Sequence, residues 1–324
     1  MSNIFNKPDI AVSAEQGKIR KLGGEIGIFI LVFLIGSLIA GIVPAIYDVI
    51  VMFTNEDTLN RIEEVLLGNG DTIGGMMDIV MDMSDGMYII TLFCTVFVIL
   101  TVFVYCRAIE KRSFYSMGVS KKNMGRDYLI GLLSGLVVFS ACIGAATLFG
   151  GIKFYGVNSA AAPLRILLFA IGFGIQGFSE EITFRGYFMI SIMKKNSVIK
   201  AVMINSLAFA IAHILNPGLS VIAFANLMLI GILMSLYVIK TNNIWGAAAF
   251  HSMWNFAQGI IYGISVSGTN SSSNIFITGN VGPKLINGGQ FGLEGGIFTT
   301  VITVACIAVI AMPEYLKKKE NVVS

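Results

Sequence analysis

The residues of this chain that could carry out chemistry lie inside apolar segments. Its two histidines are His213, which ends the run SLAFAIAH, and His251, within AAFHSMWNF. A third apolar segment contains Glu180 and Glu181, with Arg185 four residues after the second acid. An ionisable side chain costs roughly 2.5–3.5 kcal/mol at the centre of a membrane-spanning helix, so such residues persist there mostly for function. Three segments with one polar cluster each therefore predict a single polar site inside a membrane protein.

Helical spacing separates the two adjacent acids. Neighbouring residues lie about 100° apart around a helix, whereas residues four apart share a face. Arg185 is four residues after Glu181, so we expect these two to pair and to hold the helix in place. Glu180 then lies on a different face, with Gln176 one turn before it. This makes Glu180 the unpaired carboxylate, which is expected to point into a cavity and could act there as a general base or acid.

The other two segments each present a pair of residues on one face. His213 lies four residues after Phe209, and His251 lies four residues before Asn255. Together with Glu180, the two histidines and the asparagine supply what hydrolysis requires: a carboxylate to take a proton from water, imidazoles, and an amide that can donate to an oxyanion. At 1.5 Å per residue they should lie roughly 10–20 Å from the cytoplasmic helix ends, where water needs a cavity to reach them.

Composition identifies the class of protein that must position these residues. Of the 324 residues, 55% are hydrophobic and only 13% are charged, and the mean hydropathy is +0.80. A soluble protein would carry about twice that share of charged residues. Because a helix needs about 20 apolar residues to cross a bilayer, we predict an all-α polytopic membrane protein with about eight spanning helices and the site in the helical core. The eight segments are Ile26 to Val43, Met87 to Cys106, Tyr128 to Phe149, Pro163 to Met193, Val198 to His213, Leu219 to Ile239, Ile244 to Ile264, and Gly296 to Met312.

Loop charges predict the orientation in the membrane. The loop after the first segment is acidic, and the loop after the second is basic. The acids are Glu56, Asp57, Glu63, Glu64, Asp71, Asp78, Asp82 and Asp85; the bases are Arg107, Lys111, Arg112, Lys121, Lys122 and Arg126. Since cytoplasmic loops are enriched in Lys and Arg, both termini are expected in the cytoplasm of a cell membrane. The Lys-rich composition, with its Met, Ile and Asn usage, favours a bacterial source.

The chain accordingly divides into four parts. Residues 1–25 are a cytoplasmic N-terminal segment, and residues 26–127 hold the first two spans with the acidic outer loop and the basic cytoplasmic loop. Residues 128–264 form the catalytic core. Residues 265–324 comprise an outer loop, the last span and a basic cytoplasmic tail; the Gly, Ser and Asn content of the loop predicts flexibility.

The three polar clusters follow a known pattern. EExxxR, FxxxH and HxxxN occur in this order as Glu180-Glu181…Arg185, Phe209…His213 and His251…Asn255. This order resembles the signature of the CPBP family, the CAAX-protease and bacteriocin-processing proteins, which are also called abortive-infection or type II CAAX prenyl endopeptidase-like proteins. The resemblance covers approximately residues 149–256, and it implies an intramembrane endopeptidase.

The resemblance also implies roles for the motif residues. Glu180 and His213 would activate water, and His251 with Asn255 would stabilise the oxyanion. Glu181, Arg185 and Phe209 would have supporting structural roles.

Metal dependence stays open on this basis. The family was long described as metal-dependent, and Glu180, His213 and His251 could bind Zn²⁺ with one position open. The chain has no HExxH string, so a standard zinc-protease helix is absent. No other cofactor is expected. The expected partners are a peptide or membrane-protein substrate and the lipid bilayer, with no nucleic acid.

Two other functions remain alternatives to an endopeptidase. The first is a non-enzymatic protein, either for bacteriocin self-immunity or as a membrane scaffold, that retains the polar core to hold a partner. The second is a transporter, since buried Glu and His also form proton relays. Inverted repeats would favour a transporter, and we find none in the sequence.

Overall fold

The computed structural model of the chain describes residues 4–68, 72 and 84–323, with the backbone alone for 313–323. Helices account for 73% of the residues, which confirms the all-α class. Three residues of the predicted acidic loop, Asp71, Asp78 and Asp82, lie outside the described part. The described helices are α1 (Asp9–Ala14), α2 (Leu22–Thr54), α3 (Glu56–Leu67), α4 (Asp85–Cys94), α5 (Val96–Val104), α6 (Met124–Leu148), α7 (Pro163–Glu181), α8 (Ile190–Met193), α9 (Val198–Ala212), α10 (Val221–Thr241), α11 (Trp245–Phe256), α12 (Lys284–Asn287) and α13 (Ile297–Val323).

Five helical segments of the described chain are long and apolar enough to cross a bilayer. They are Leu22–Thr54, Asp85–Ile109, Met124–Leu148, Pro163–Met193 and Val221–Thr241. Val198–Ala212 and Ile297–Met312 are shorter apolar helices, and α11 with its continuation is also short. Each of the eight predicted segments is therefore helical, whereas eight crossings stay a prediction.

Three of the described helices continue in a π-helical form, in which the backbone bonds from residue i to i+5. The π segments Tyr105–Ile109, Ile182–Met189 and Ala257–Ile261 follow α5, α7 and α11. The first predicted span, α2, is longer than predicted: it passes through Pro44 and continues to Thr54. Proline is tolerated in membrane helices where neighbouring groups satisfy the freed backbone.

Small residues let α11 pack closely against its neighbours in the core. A Cβ atom on Gly135 of α6 would lie 2.6 Å from the carbonyl oxygen of Phe250, and one on Gly177 of α7 would lie 2.7 Å from the backbone nitrogen of Ser252. Helices in membranes use such residues to bring backbones together. The close approach places the motif residues of α7 and α11 side by side.

One end of the helical core collects the basic segments, and we call it the basic end: residues 4–20, 107–126, 194–200 and 240–243. Asn242 after α10 donates hydrogen bonds to Asp9 and to Tyr115. Lys194 after α8 donates to the carbonyl of Lys18. The N-terminal segment, the basic loop and two helix ends therefore meet at one place, whereas the orientation in the membrane stays a prediction.

The opposite end carries a small sheet that the all-α prediction did not include. Strands β1 (Ile152–Val157) and β2 (Phe276–Asn280) pair antiparallel. Residues 265–294, predicted to be flexible from composition, hold β2, α12 and two short 3₁₀ turns. Asp85 at the start of α4 accepts hydrogen bonds from Ser271, Ser272 and Ser273. The segment is thereby tied to the helices at this end of the core.

Candidate active site

Glu180 and Gln176 form the first part of the site, at the end of α7. The side chain of Glu180 is 24% exposed, and its Oε1 accepts a hydrogen bond of 2.5 Å from Nε2 of Gln176. Its second oxygen, Oε2, has no hydrogen-bond partner in the described part of the chain. The two residues lie one turn apart on one face, as the spacing predicted. The π segment that begins two residues later is a feature often found at functional sites.

Glu181 points the other way, into the protein. It is fully buried, and its Oε1 accepts from Nη1 of Arg185 at 2.8 Å. The same oxygen lies 2.9 Å from Nδ1 of His251 on α11. The guanidinium of Arg185 lies over the ring of Phe209, 4.4 Å from its centroid. The predicted ion pair is present, and it has an additional partner in His251 that the spacing could not reveal.

The contact with Glu181 determines how His251 is oriented. A carboxylate accepts, so Nδ1 of His251 carries the proton in this contact, and Nε2 is the other available ring atom. Nε2 lies 3.6 Å from Oε2 of Glu180. The side chain is almost fully buried. His251 therefore connects the two adjacent acids, being anchored by one and facing the other.

His213 is oriented by the backbone of its own helix. It follows the last residue of α9, and its Nδ1 donates to the carbonyl oxygen of Phe209 at 2.9 Å. The Phe209 ring packs on it with 4.8 Å between ring centroids. This leaves Nε2 of His213 available to a ligand. Phe209 thus lies between His213 and Arg185 and contacts both.

Asn255 completes the predicted set through Gln176. Its Nδ2 donates to Oε1 of Gln176 at 3.0 Å, while Gln176 donates to Glu180. One glutamine therefore links motif residues of two helices. The sequence placed Gln176 next to Glu180 but did not assign it to the site, since an amide one turn away has no distinctive pattern.

The four residues predicted to be catalytic line one cavity of about 160 Å³. A water molecule occupies about 30 Å³ in the liquid, so several can enter. The walls are otherwise mostly apolar and aromatic, with Leu227, Ile230, Phe250 and Trp254 among them. The structure thus brings together Glu180, His213, His251 and Asn255, as predicted.

Glu294 is a residue of the cavity that the sequence analysis missed. It lies in the segment before α13 and is 4% exposed, and it lines the same cavity as Glu180. Its Oε2 accepts from the backbone nitrogen of Ser267 at 3.0 Å and from the Ser267 hydroxyl at 2.8 Å. Asn226 of α10 donates to the Glu294 carbonyl at 2.7 Å, which fixes the backbone. Burial raises the pKa of the Glu294 carboxyl above its ordinary value, although the Ser267 hydrogen bonds act in the other direction.

A signal for Glu294 was present in the sequence. It is the sole acid among residues 265–296. Lys284 is the other charged residue of this stretch, and Glu294 is part of no motif. An isolated acid directly before an apolar helix is therefore a candidate site residue, as is an acid inside one.

The donor set does not fit a metal ion in this arrangement. Within the described residues, no three His, Cys, Asp or Glu side chains lie close enough together to hold one. The Zn²⁺ site considered from the sequence, with Glu180, His213 and His251 as ligands, is therefore not formed by this geometry. We assign no step to a metal.

Comparison with known proteins finds one similarity. Residues 161–257 match the family model for type II CAAX prenyl endopeptidase Rce1-like proteins. This part of the chain is similar to the proteins of that family. The Rce1-like segment contains all seven motif residues, from Glu180 to Asn255, and it confirms the resemblance that the motifs carried. Glu294 lies outside it. No curated protein and no solved structure matches the chain.

Proposed function

We propose that the chain is an intramembrane endopeptidase that hydrolyses a peptide bond in a membrane-associated protein or peptide. The observation that supports it most is the convergence of Glu180, His213, His251 and Asn255 on one cavity that has room for water. These residues supply a base, two imidazoles and an amide, and all lie in the Rce1-like segment. The coarse activity, a protease, follows from the family, and the roles below are our assignment.

Glu180 is the general base in this proposal. Its Oε2 is buried and has no hydrogen-bond partner among the described residues, so a water that enters the cavity beside Glu180 can give it a proton as the water oxygen attacks the peptide carbonyl carbon. Nε2 of His213 positions the same water, since the Nδ1 atom is already used by the Phe209 carbonyl. Gln176 holds the other oxygen of Glu180 and so fixes the direction of the base.

His251 and Asn255 stabilise the tetrahedral intermediate. With a proton on each ring nitrogen, His251 donates to Glu181 from Nδ1 and to the oxyanion from Nε2. Asn255 uses one amide hydrogen for Gln176 and has a second for the oxyanion. Glu180 then delivers its proton to the leaving nitrogen as the C–N bond breaks. The products are a carboxylic acid and an amine, to which the acid passes its proton, and the base is restored.

The test is cleavage by the purified full chain in detergent. A mixture of synthetic peptides that contains every pair of neighbouring residue types is the substrate, and new termini are identified by mass spectrometry. Termini of membrane proteins are compared in parallel in cells that express each variant. We expect new termini with the wild type and with the exposed control Glu63→Gln, and none with Glu180→Gln.

A folded Glu180→Gln protein that produces the same termini in both assays would contradict the proposal. If no termini depend on Glu180 while the variant keeps its effect in the cell, the non-enzymatic immunity or scaffold role is favoured instead. The two outcomes are distinct: the first would show that Glu180 is not the base, and the second would show that the protein's effect in the cell does not need cleavage.

A further inference from the structure

The two ends of the helical core differ in charge. The basic end carries most of the described Lys and Arg residues, while the opposite end has few. At the basic end lie Lys7, Lys18, Arg20, Arg107, Lys111, Arg112, Lys121, Lys122, Arg126, Lys194, Lys195, Lys200 and Lys240; at the opposite end lie Arg61, Lys153, Arg165 and Lys284. Loops rich in Lys and Arg remain in the cytoplasm when a membrane protein is inserted. The charge distribution therefore assigns the basic end to the cytoplasm.

Three segments bound the cavity on the side away from the basic end. They are residues 216–218, 266–269 and 291–295, and we call them the roof. Asn216 donates to the carbonyl of Ser267 at 3.0 Å, and the nitrogen of Gly268 donates to the carbonyl of Phe291 at 3.0 Å. Asn216, Ser267 and Thr269 of the roof line the cavity and are partly exposed. The polar edge of the cavity therefore lies at the end away from the basic loops.

The side of the cavity toward the basic end is filled by protein. Residues 182–193 are buried without exception. Toward the basic end, the buried guanidinium of Arg112 donates to the carbonyls of Gly186 and Tyr187 and to the hydroxyl of Ser191. Lys194 pairs there with Glu25 and Glu110 at 3.1 and 3.4 Å. This packing separates Glu180 from the cytoplasmic face.

We propose that the cavity receives its peptide from the face opposite the basic end, so that the substrate is an extracytoplasmic segment of a membrane protein or an exported peptide. That the bound peptide is a substrate rests on the proposed function, whereas the direction from which it enters rests on the roof and the charge distribution alone. Amide and hydroxyl groups of Asn216, Ser267 and Thr269 at the entrance suit the backbone of an extended peptide.

Labelling with a membrane-impermeant maleimide tests the direction of access. The four native cysteines, of which Cys94, Cys106 and Cys142 are buried, are first replaced by Ala in the full chain. Thr269→Cys then reports the cavity edge, and Lys122→Cys, at an exposed position, reports the basic end. We expect Thr269→Cys to be labelled in intact expressing cells as fully as after permeabilisation. Lys122→Cys should be labelled only after permeabilisation.

The reverse pattern, or labelling of both positions from outside, overturns the inference, as does a Thr269→Cys thiol that resists labelling from both sides. An Asn270→Cys variant on the exposed neighbour repeats the measurement if Thr269→Cys fails to accumulate as folded protein. Labelling does not depend on hydrolysis. Outside labelling with no Glu180-dependent cleavage would therefore remove the proposed function and leave the direction of access intact.

Discussion

Nδ1 of His251 lies 2.9 Å from Oε1 of Glu181, the same oxygen that accepts from Arg185 at 2.8 Å. One buried oxygen thus joins α11 to the helix that carries both acids. Glu181 is fully buried and holds these two partners, whereas the side chain of its neighbour Glu180 is partly exposed and lines the cavity. The two adjacent acids therefore have separate tasks: Glu181 holds α11 in place, and Glu180 is available for chemistry in the cavity.

Replacing each acid by the isosteric amide should separate these tasks. Glu180→Gln removes the base and should lower kcat by roughly 10²–10⁴-fold, with little change in thermal stability. Glu181→Gln leaves the Arg185 charge buried without its partner and should cost roughly 3–5 kcal/mol of stability. Thermal unfolding in detergent and turnover of a cleaved peptide measure the two effects. Equal loss of stability in both variants would contradict the division of tasks.

Gln176 should act on turnover through Glu180 and Asn255. Gln176→Leu keeps much of the side-chain volume and removes the hydrogen bonds to both residues. Since a hydrogen bond to a charged group contributes roughly 1.5–3 kcal/mol, kcat should fall about ten- to hundredfold while KM changes little. Gln16→Leu, at an exposed position far from the cavity, is the matched control. A rise in KM alone would instead assign Gln176 to substrate binding.

Helical periodicity predicted which side chains share a face, and the structure agrees at each motif. The i, i+4 pairs Glu181–Arg185 and Gln176–Glu180 are in contact because one helix determines their geometry. The Glu181–His251 contact was beyond prediction, since it depends on how α11 packs against α7. That packing is determined by glycines such as Gly177, whose role appears only when the neighbouring backbone is known.

The segment before the last helix was the least predictable part. Its Gly, Ser and Asn content is typical of a flexible linker, yet the structure packs it along the edge of the cavity and places Glu294 there. Local sequence has no signal for this, because the contacts that hold the segment come from distant residues. Asn226 on α10 and Asp85 on α4 provide two of them.

Removal of metal ions should leave activity unchanged. Glu180 and His213 form hydrogen bonds within their own helices, and His251 bonds to Glu181 of α7. No three His, Cys, Asp or Glu side chains of the described residues form a group that could hold an ion. We expect the same initial rate of peptide cleavage before and after dialysis against a strong zinc chelator. A loss of activity that added Zn²⁺ restores, and that a non-chelating analogue does not cause, would overturn this expectation.

Glu110 should stabilise the basic end in a pH-dependent manner. Burial acts to raise its pKa, but the charges of Lys194, Arg112 and Arg20 outweigh burial and hold the pKa below the ordinary value of 4.5. The stabilisation is therefore complete above about pH 4.5 and is lost as the pH falls through the lowered pKa. Glu110→Gln should cost roughly 3–5 kcal/mol at neutral pH, and the gap from wild type should narrow in acid. A gap that is independent of pH would contradict the role of this charge.

The contribution of Glu294 to stability should depend on pH in the opposite sense to that of Glu110. Burial raises the pKa of its carboxyl in the folded protein, so the unfolded chain ionises at a lower pH than the folded one. Wild-type stability then declines as the pH rises from the unfolded pKa through the raised folded pKa, and levels off above it. Glu294→Gln removes this titration while its side-chain oxygen can still accept from Ser267. The variant should match wild type at low pH and exceed it in thermal stability at neutral pH. If the variant is less stable than wild type at neutral pH, Glu294 is ionised without penalty in the cavity, and its charge would then have to be balanced by the imidazoles of His213 and His251.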